Sequence, residues 1–374
     1  MTSTSETRTP EDTQYAIDAV RRHFGVTQEF LGENGKSIEF HLGQDQADTK
    51  ANFLSLASDL KSRGDMAVLR NSDHELMLFV FKRPQKGKTR LKLPLALLAA
   101  TIIAVFVDGY IRSSTYILAK ESFNQDLIIS LIYTISLVGI IGIHEMGHKV
   151  ASWHHKMDSS WPYFIPGIPA VTVPTMGAVI SAREPPPNRD ALFDLGISGP
   201  LAGLLATVVV SFIAAASVKV YPLSAVPANS TVSAVDFYTS ILTSLFTNGS
   251  GVLGGTLFTS LYFAYSFGFL LTLVNLLPAW QLDGGHIANA AVSPKVHKYL
   301  TWISAGLMVL IGFWLMAILI IFLASRTPSL RPLDDVSPLS QKRKALFWLT
   351  WVIALAIFVF VIYNNLYFWI GNIL

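Results

Sequence analysis

Polar and apolar positions alternate over short distances in the first part of the chain. The periodicity predicts a helix at residues 13–24, two strands within 26–42, a helix at 49–63, and strands at 66–69 and 75–81. Asn34-Gly35 is a strong hairpin signal between the first two strands. We therefore expect a small soluble α+β domain of order αββαββ over residues 11–82, after a disordered tail of residues 1–10.

The pattern changes after a short linker, residues 83–92, to long and almost purely apolar stretches. A helix of about 20 residues crosses the hydrocarbon core of a bilayer, and six stretches reach roughly this length. They lie at residues 93–111, 127–150, 191–218, 253–278, 299–324 and 345–370. The predicted fold class is a polytopic α-helical membrane protein of about six transmembrane segments, with residues 93–374 forming the membrane-embedded domain.

Basic residues beside the spans indicate their orientation. Arg83, Lys86, Lys88, Arg90 and Lys92 lie in the linker, so the positive-inside rule predicts a cytoplasmic N-terminal domain. A second basic segment, residues 325–344, would then lie outside if all six stretches crossed the membrane. Either the fifth stretch is re-entrant or the basic loop is tolerated outside. The charge pattern leaves both alternatives open, and with them the position of the C-terminus.

Composition supports a membrane protein. Hydrophobic residues make up 51% of the 374 residues and charged residues 14%, which is too apolar for an ordinary soluble protein. The net charge of +3 is modest and its basic residues flank apolar spans, so no nucleic-acid partner is expected. The first 12 residues lack an apolar run and resemble neither a signal peptide nor a transit peptide. The chain has no cysteine, so a zinc site must use His, Asp or Glu.

The second apolar stretch carries His144-Glu145-Met146-Gly147-His148 at its C-terminal end. An HExxH sequence on a helix places both imidazoles on one face, where they can bind the same Zn²⁺, and the glutamate can act as a general base toward water. The alternative is a chance pentapeptide whose histidines only pack in the bundle. Ionisable residues at membrane depth are costly without a function, which favours the metal site.

A catalytic zinc normally has three protein ligands, so one more is expected. Asp283 is the strongest candidate, because Pro278 interrupts the helix before it and Gly284-Gly285 allow a bend after it. The fourth stretch also descends toward the cytoplasmic side, so Asp283 reaches the depth of the HExxH sequence. Asp283 could instead cap a helix that begins near Gly285.

These two motifs together resemble the site-2 protease family of intramembrane zinc metalloproteases. The resemblance rests on His144 to His148, on Asn275, Pro278, Asp283 and Gly284, and on Ser198-Gly199-Pro200-Leu201-Ala202-Gly203, and it covers roughly residues 132–291. It implies one Zn²⁺ per subunit bound by His144, His148 and Asp283, with Glu145 as general base and Asn275 as an electrophilic or substrate-positioning residue. The N-terminal α+β domain of residues 11–82, called the head below, and the lack of an obvious PDZ region resemble archaeal and plant plastid members of the family.

Residues 161–182 follow the HExxH helix and are apolar but rich in proline. Residues 172–180 have the character of a strand with a glycine kink, and the family resemblance suggests a re-entrant β-loop beside the site. A helical substrate must unwind before hydrolysis, and a free strand edge could hold the extended segment. Thr175, Met176, Gly177 and Ala178 are the predicted substrate-binding residues.

The predicted function is regulated intramembrane proteolysis, in which a zinc-dependent endopeptidase cuts membrane proteins within or near their transmembrane segments. The predicted partners are such a substrate and the lipid bilayer; no partner is assigned to the head. One alternative is a non-proteolytic metal-binding membrane protein, a transporter or inactive adaptor, which would have little need of Glu145. Another is a membrane-embedded zincin with an aqueous chamber and a glutamate as third ligand.

Overall fold

The computed structural model describes most of the chain. It covers residues 8–32, 35–43, 48–72, 75–83, 91–116, 121–170, 173–222, 224, 237–247, 252–310, 313–327 and 329–371, with side chains to residue 359 except that of residue 237. Most of the predicted tail and linker, and Asn34 of the hairpin turn, lie outside the described residues.

The N-terminal region folds as a four-stranded antiparallel sheet covered by two helices. Its elements are α1 (Pro10–His23), β1 (Val26–Leu31), β2 (Ser37–Leu42), α2 (Thr49–Ser62), β3 (Asp65–Ser72) and β4 (Glu75–Lys82). The strand order is β1-β2-β4-β3. Apolar residues at alternate positions, among them Ile38, Phe40 and Leu42 of β2, face the helices and form the core with Val20 and Phe53. The expected small α+β region is confirmed, and its elements follow one another as αββαββ.

Four helices among the described residues are long and apolar enough to cross a membrane. They are α3 (Lys92–Ser114), α4 (Phe123–His154), α5 (Arg189–Ala216) and α7 (Thr256–Leu276). Ser122 and Gln125 form a capping box at the start of α4, and Asn188 caps α5. Helix α4 packs against the other three. The structure therefore supports a multi-pass membrane protein, but the expected count of about six spans is not confirmed.

The fifth apolar stretch divides into two helices that pack against each other, α9 (Pro294–Leu310) and α10 (Trp314–Arg326). Ser329 Oγ, after α10, lies 3.2 Å from Nδ1 of His297 in the first turn of α9. The stretch therefore begins and ends on the same side and forms a hairpin. Of the two alternatives left open by the charge pattern, the structure agrees with the re-entrant one. The sixth stretch lies in α11 (Gln341–Gly371).

The segment between α10 and α11 joins the head to the membrane helices. The backbone N–H of Leu69, on edge strand β3, donates to Leu333 O at 2.9 Å. On the other side of the segment, the N–H groups of Leu333 and Asp334 donate to the carbonyl oxygens of Pro186 and Pro187 at 2.8 and 3.0 Å. The basic loop thus lies on the same side as the head and the start of α5.

Two short two-stranded antiparallel sheets also lie in the described part of the membrane domain. Strand β5 (Tyr163–Pro166) pairs with β6 (Thr175–Val179) beside α3 and α4. Strand β7 (Lys219–Tyr221) pairs with β8 (Val252–Gly254) at the end of the bundle away from the head, and α6 (Phe237–Ser244) lies between them in sequence. Helix α8 (Asp283–Ala291) follows α7 after a short non-helical segment that contains Pro278.

Candidate metal centre

The two histidines of α4 face the interior of the helix bundle. His144 and His148 are 2% and 8% exposed, and their Nε2 atoms lie 3.2 Å apart. Their spacing of four residues accounts for this, because it returns the chain to the same face of a helix after about one turn.

Asp283 approaches the same point from another direction. Helix α7 ends at Leu276, and α8 begins at Asp283 itself, whose Oδ2 lies 3.1 Å from His144 Nε2 and whose Oδ1 lies 3.3 Å from His148 Nε2. The N-cap position of α8 is held by Leu282, and Asp283 is the first residue of the helix, so the capping alternative does not describe Asp283. The glycine after it has a different role from the expected bend: a β-carbon at Gly284 would lie 2.0 Å from Leu276 O, so this position permits close approach of two backbones.

The arrangement of the three side chains fits a zinc ion. A tetrahedral ion with ligand bonds of about 2.0–2.1 Å holds its ligand atoms about 3.3 Å apart. The two Nε2 atoms lie 3.2 Å apart, and the two oxygens of Asp283 lie one beside each of them, Oδ2 3.1 Å from His144 Nε2 and Oδ1 3.3 Å from His148 Nε2. Two imidazole nitrogens and a carboxylate are also donors that zinc accepts. His144, His148 and Asp283 could therefore hold one ion.

Helix α5 shapes the other side of the centre. The carbonyl oxygen of Leu195 lies 2.7 Å from His148 Nδ1, and accepting this hydrogen bond leaves the Nε2 lone pair directed at the cluster. A β-carbon at Gly199 would lie 2.1 Å from His148 Nε2, and one at Gly203 would lie 2.9 Å from His144 Nδ1. That Nδ1 atom is buried and has no hydrogen-bond partner within the described part of the chain.

Sequence reasoning did not assign Leu195, Gly199 or Gly203 to the centre. A signal for the glycines was present, since two glycines four residues apart on an apolar helix mark a face that packs closely. Nothing in the sequence indicates the Leu195 contact, because it is made by the backbone and any residue supplies a carbonyl.

Glu145 and Asn275 adjoin the three candidate ligands. Glu145 is 5% exposed and follows His144 on the same turn of α4. Asn275, in the last turn of α7, has its Nδ2 atom 3.5 Å from His144 Nε2. The structure therefore places a carboxylate and an amide around the cluster, inside an apolar bundle.

Strand β6 passes α7 one helical turn away from Asn275. A β-carbon at Gly177, where φ is +93°, would lie 3.9 Å from Leu271 Cδ1, one helical turn before Asn275. Of the predicted substrate-binding residues, Thr175 is fully buried and its Oγ1 donates to Ile165 O within the hairpin, whereas Met176 is exposed. Residue 172 of the predicted strand lies outside the described residues.

Comparison with known proteins gives one family and several relatives. The model of peptidase family M50 matches residues 132–319. The chain is 32% identical over 227 residues to the probable zinc metalloprotease EGY1, chloroplastic, of Arabidopsis thaliana, covering 56% of this chain and 39% of that protein. It is 29% identical over 229 residues to the protein of the same name from Oryza sativa subsp. japonica, covering 55% and 37%.

A second kind of relative is more distant. The probable zinc metalloprotease EGY2, chloroplastic, of Oryza sativa subsp. indica is 24% identical over 261 residues, covering 63% of this chain and 44% of that protein. The matches thus span less than half the length of these relatives. No solved structure matches the chain significantly. The predicted resemblance to a family of zinc metallopeptidases is confirmed by these matches, and zinc as the metal agrees with the relatives' names and with the His-His-Asp cluster.

Proposed function

Because the chain belongs to peptidase family M50, we propose that it is a zinc-dependent endopeptidase that hydrolyses peptide bonds within or near transmembrane segments of other membrane proteins. The observation that carries this proposal is the cluster of His144, His148 and Asp283 between apolar helices, with Glu145 buried beside it. A buried carboxylate next to three candidate ligands suits hydrolysis, since a metal site without chemistry does not require it.

The proposed roles follow from position. His144, His148 and Asp283 would hold zinc, which when bound supplies a Lewis acid and lowers the pKa of a water ligand. Glu145 takes a proton from the attacking water and gives it to the leaving amine. Asn275 donates from Nδ2 to the oxygen of the scissile carbonyl, which gains negative charge as water adds.

Strand β6 is the proposed holder of the substrate. It pairs with β5 along one edge, and the two form a two-stranded sheet among the described residues. A peptide unwound from a helix could form backbone hydrogen bonds along the other edge of β6. Met176, which is exposed, would contact the side chains of the substrate, whereas buried Thr175 would maintain the hairpin.

The orientation of the head is also a proposal. Two basic segments lie on the head side: the linker, represented by Arg83 and Lys92, and the segment that joins β3 through Leu333. The positive-inside rule assigns such a side to the cytoplasm. We therefore expect the head, and the end of the bundle that carries the metal centre, to face the cytoplasm.

Purified protein in liposomes tests the proposed activity. It would be incubated with membrane proteins that each contain one transmembrane segment, and the products would be mapped by mass spectrometry. We expect cuts within or beside the segment that stop on chelation and resume when Zn²⁺ is restored. Tight zinc binding without cleavage of any segment would contradict the proposal and favour a transporter or an inactive adaptor.

A further inference from the structure

A buried carboxylate lies far from the metal centre and has no part in the proposed chemistry. Asp108, near the end of α3 away from the head, is 1% exposed. Its Oδ2 accepts hydrogen bonds from Arg112 Nε at 2.6 Å and from Tyr133 OH at 2.8 Å. A carboxylate in an apolar helix is costly unless it is paired, and these two donors pair it within α3 and α4.

A third donor comes from outside these helices. The backbone N–H of Ala170 donates to Asp108 Oδ1 at 3.1 Å. Ala170 lies in the turn between β5 and β6 and has φ +58°, a left-handed conformation that is uncommon for a residue other than glycine. Such a conformation persists where the surroundings impose it, and the hydrogen bond to Asp108 is one such restraint.

The base of the same hairpin is fixed as well. Ser160 N donates to Ser181 O at 2.9 Å, and Ser159 forms a bridge with Ala182. Strand β6 is thus held at both ends, and its middle passes Leu271 at Gly177, one turn from Asn275. Release of the turn would remove the tie between this end of the hairpin and α3, and β6 would be held by its base, its pairing with β5 and its packing against the helices.

We propose that Asp108 is a positioning residue that fixes the β5–β6 hairpin, and through it the strand edge that holds the substrate. The inference rests on the proposed function for its catalytic consequence, but the anchoring itself does not. Loss of the anchor affects how well β6 binds an extended peptide and leaves the three candidate ligands in place. The expected effect is therefore a higher KM with kcat nearly unchanged.

Asp126→Asn is a matched control for Asp108→Asn. Asp126 is also a buried acid near the end of the bundle away from the head, in the first turn of α4, and it accepts a hydrogen bond from Ser113 of α3. Within the described part of the chain, Asp126 forms no hydrogen bond or ion pair with the β5–β6 hairpin. Both substitutions remove one buried negative charge. In Asp108→Asn the single remaining oxygen stays with the charged Arg112 and with Tyr133, so the amide NH2 faces the Ala170 N–H and that hydrogen bond is lost.

The position of the hairpin can be measured without any enzymatic assay. The chain has no cysteine, so spin labels can be attached at Met176→Cys on β6 and Leu205→Cys on α5, both of which are exposed. We expect the distribution of label distances to broaden in Asp108→Asn and to stay as narrow as in the parent in Asp126→Asn. An unchanged distribution in Asp108→Asn overturns the proposal, whether or not the protein is a protease.

Cleavage kinetics test the consequence. In the chain without labels, we expect Asp108→Asn to raise KM about tenfold, as loss of about 1.4 kcal/mol of binding would, and to retain zinc. A broader distribution of label distances together with an unchanged KM overturns the positioning role. A wild-type chain that cleaves nothing counts against the proposed function alone.

Hydrogen exchange in the wild type is the test if Asp108→Asn does not fold. The Ala170 amide should exchange slowly, and exchange at the rate of a free amide would overturn the proposal that Asp108 anchors the hairpin.

Discussion

Gly199 of α5 lies directly against the ring of His148, so that a β-carbon at this position would be 2.1 Å from Nε2. That nitrogen is the atom that His148 would offer to a zinc ion. Space for the ion is therefore left by the missing side chain of Gly199 as well as by the arrangement of the three candidate ligands.

Substitution of this glycine should remove the metal. In Gly199→Ala the new methyl group and the His148 ring cannot both keep their positions, and the adjoining backbone of α5 gives little freedom to move. We expect zinc bound per chain, measured by mass spectrometry of the metal, to fall to a small fraction of the wild-type value. Gly139→Ala in α4 is the control, because its β-carbon would meet nothing within 4 Å, and it should bind zinc normally.

Replacement of Asp283 tests the third ligand. The carboxylate contacts the Nε2 atoms of both histidines, at 3.1 and 3.3 Å, so Asp283→Ala should weaken zinc binding by more than about 100-fold. Competition with a chelator of known affinity measures the change. Asp158→Ala, a replacement of a partly exposed acid just beyond α4, should leave the affinity as it was. Retained zinc and activity in Asp283→Ala would instead favour a zincin with a glutamate as third ligand.

An ion-pair cluster should stabilise the join between α4, α5 and α11. Arg343 Nε donates to Asp194 Oδ1 at 2.7 Å and Nη1 to Asp190 Oδ2 at 3.1 Å, while His155 Nε2 lies 2.8 Å from Asp194 Oδ2. Arg343→Gln would leave two partly buried carboxylates short of a donor, at a cost of about 2 kcal/mol. We expect a midpoint of thermal unfolding several degrees lower, with little change in the exposed neighbour variant Lys342→Gln. Equal midpoints for the two variants would show that the cluster contributes nothing.

Because α9 and α10 form a hairpin, the residues before α9 and after α10 should be accessible from the same side of the membrane. Single cysteines at Glu29 in the head, Lys342 in the first turn of α11 and Lys219 after α5 can be labelled in sealed vesicles with a reagent that does not cross the bilayer. Glu29→Cys and Lys342→Cys should react from the same side, and Lys219→Cys from the other. Reaction of Lys342→Cys together with Lys219→Cys would mean that the fifth apolar stretch crosses the membrane.

This hairpin also shows where sequence reasoning stops. The pairing of the two histidines on α4 and the approach of Asp283 could be predicted, because helical periodicity determines the first and the depth of two apolar stretches the second. The head could be predicted because Asn34-Gly35 and the alternation in β2 are local signals. The fifth stretch is uniformly apolar, and its length alone suggests a span. Its return to the same side depends on long-range contacts such as that of Leu69 with Leu333, which no local pattern contains.

Asp108 illustrates a second limit. An isolated acid in an apolar stretch indicates a partner but does not identify it. Arg112 is a neighbour at the next helical turn and could have been proposed from spacing. Tyr133 and the Ala170 amide are brought to the carboxylate only by packing of α4 and the β5–β6 turn against α3.

The central claim is that Glu145 performs hydrolysis at a zinc ion held by its neighbours. Glu145→Gln keeps the size of the side chain and the positions of His144, His148 and Asp283, and it removes only the base. The direct measurement is cleavage of a transmembrane substrate in liposomes together with zinc content of the same sample, with Glu121→Gln, a change far from the centre, as control. We predict full zinc content and cleavage reduced by at least about 100-fold in Glu145→Gln. Cleavage at the wild-type rate by zinc-loaded Glu145→Gln would contradict the mechanism.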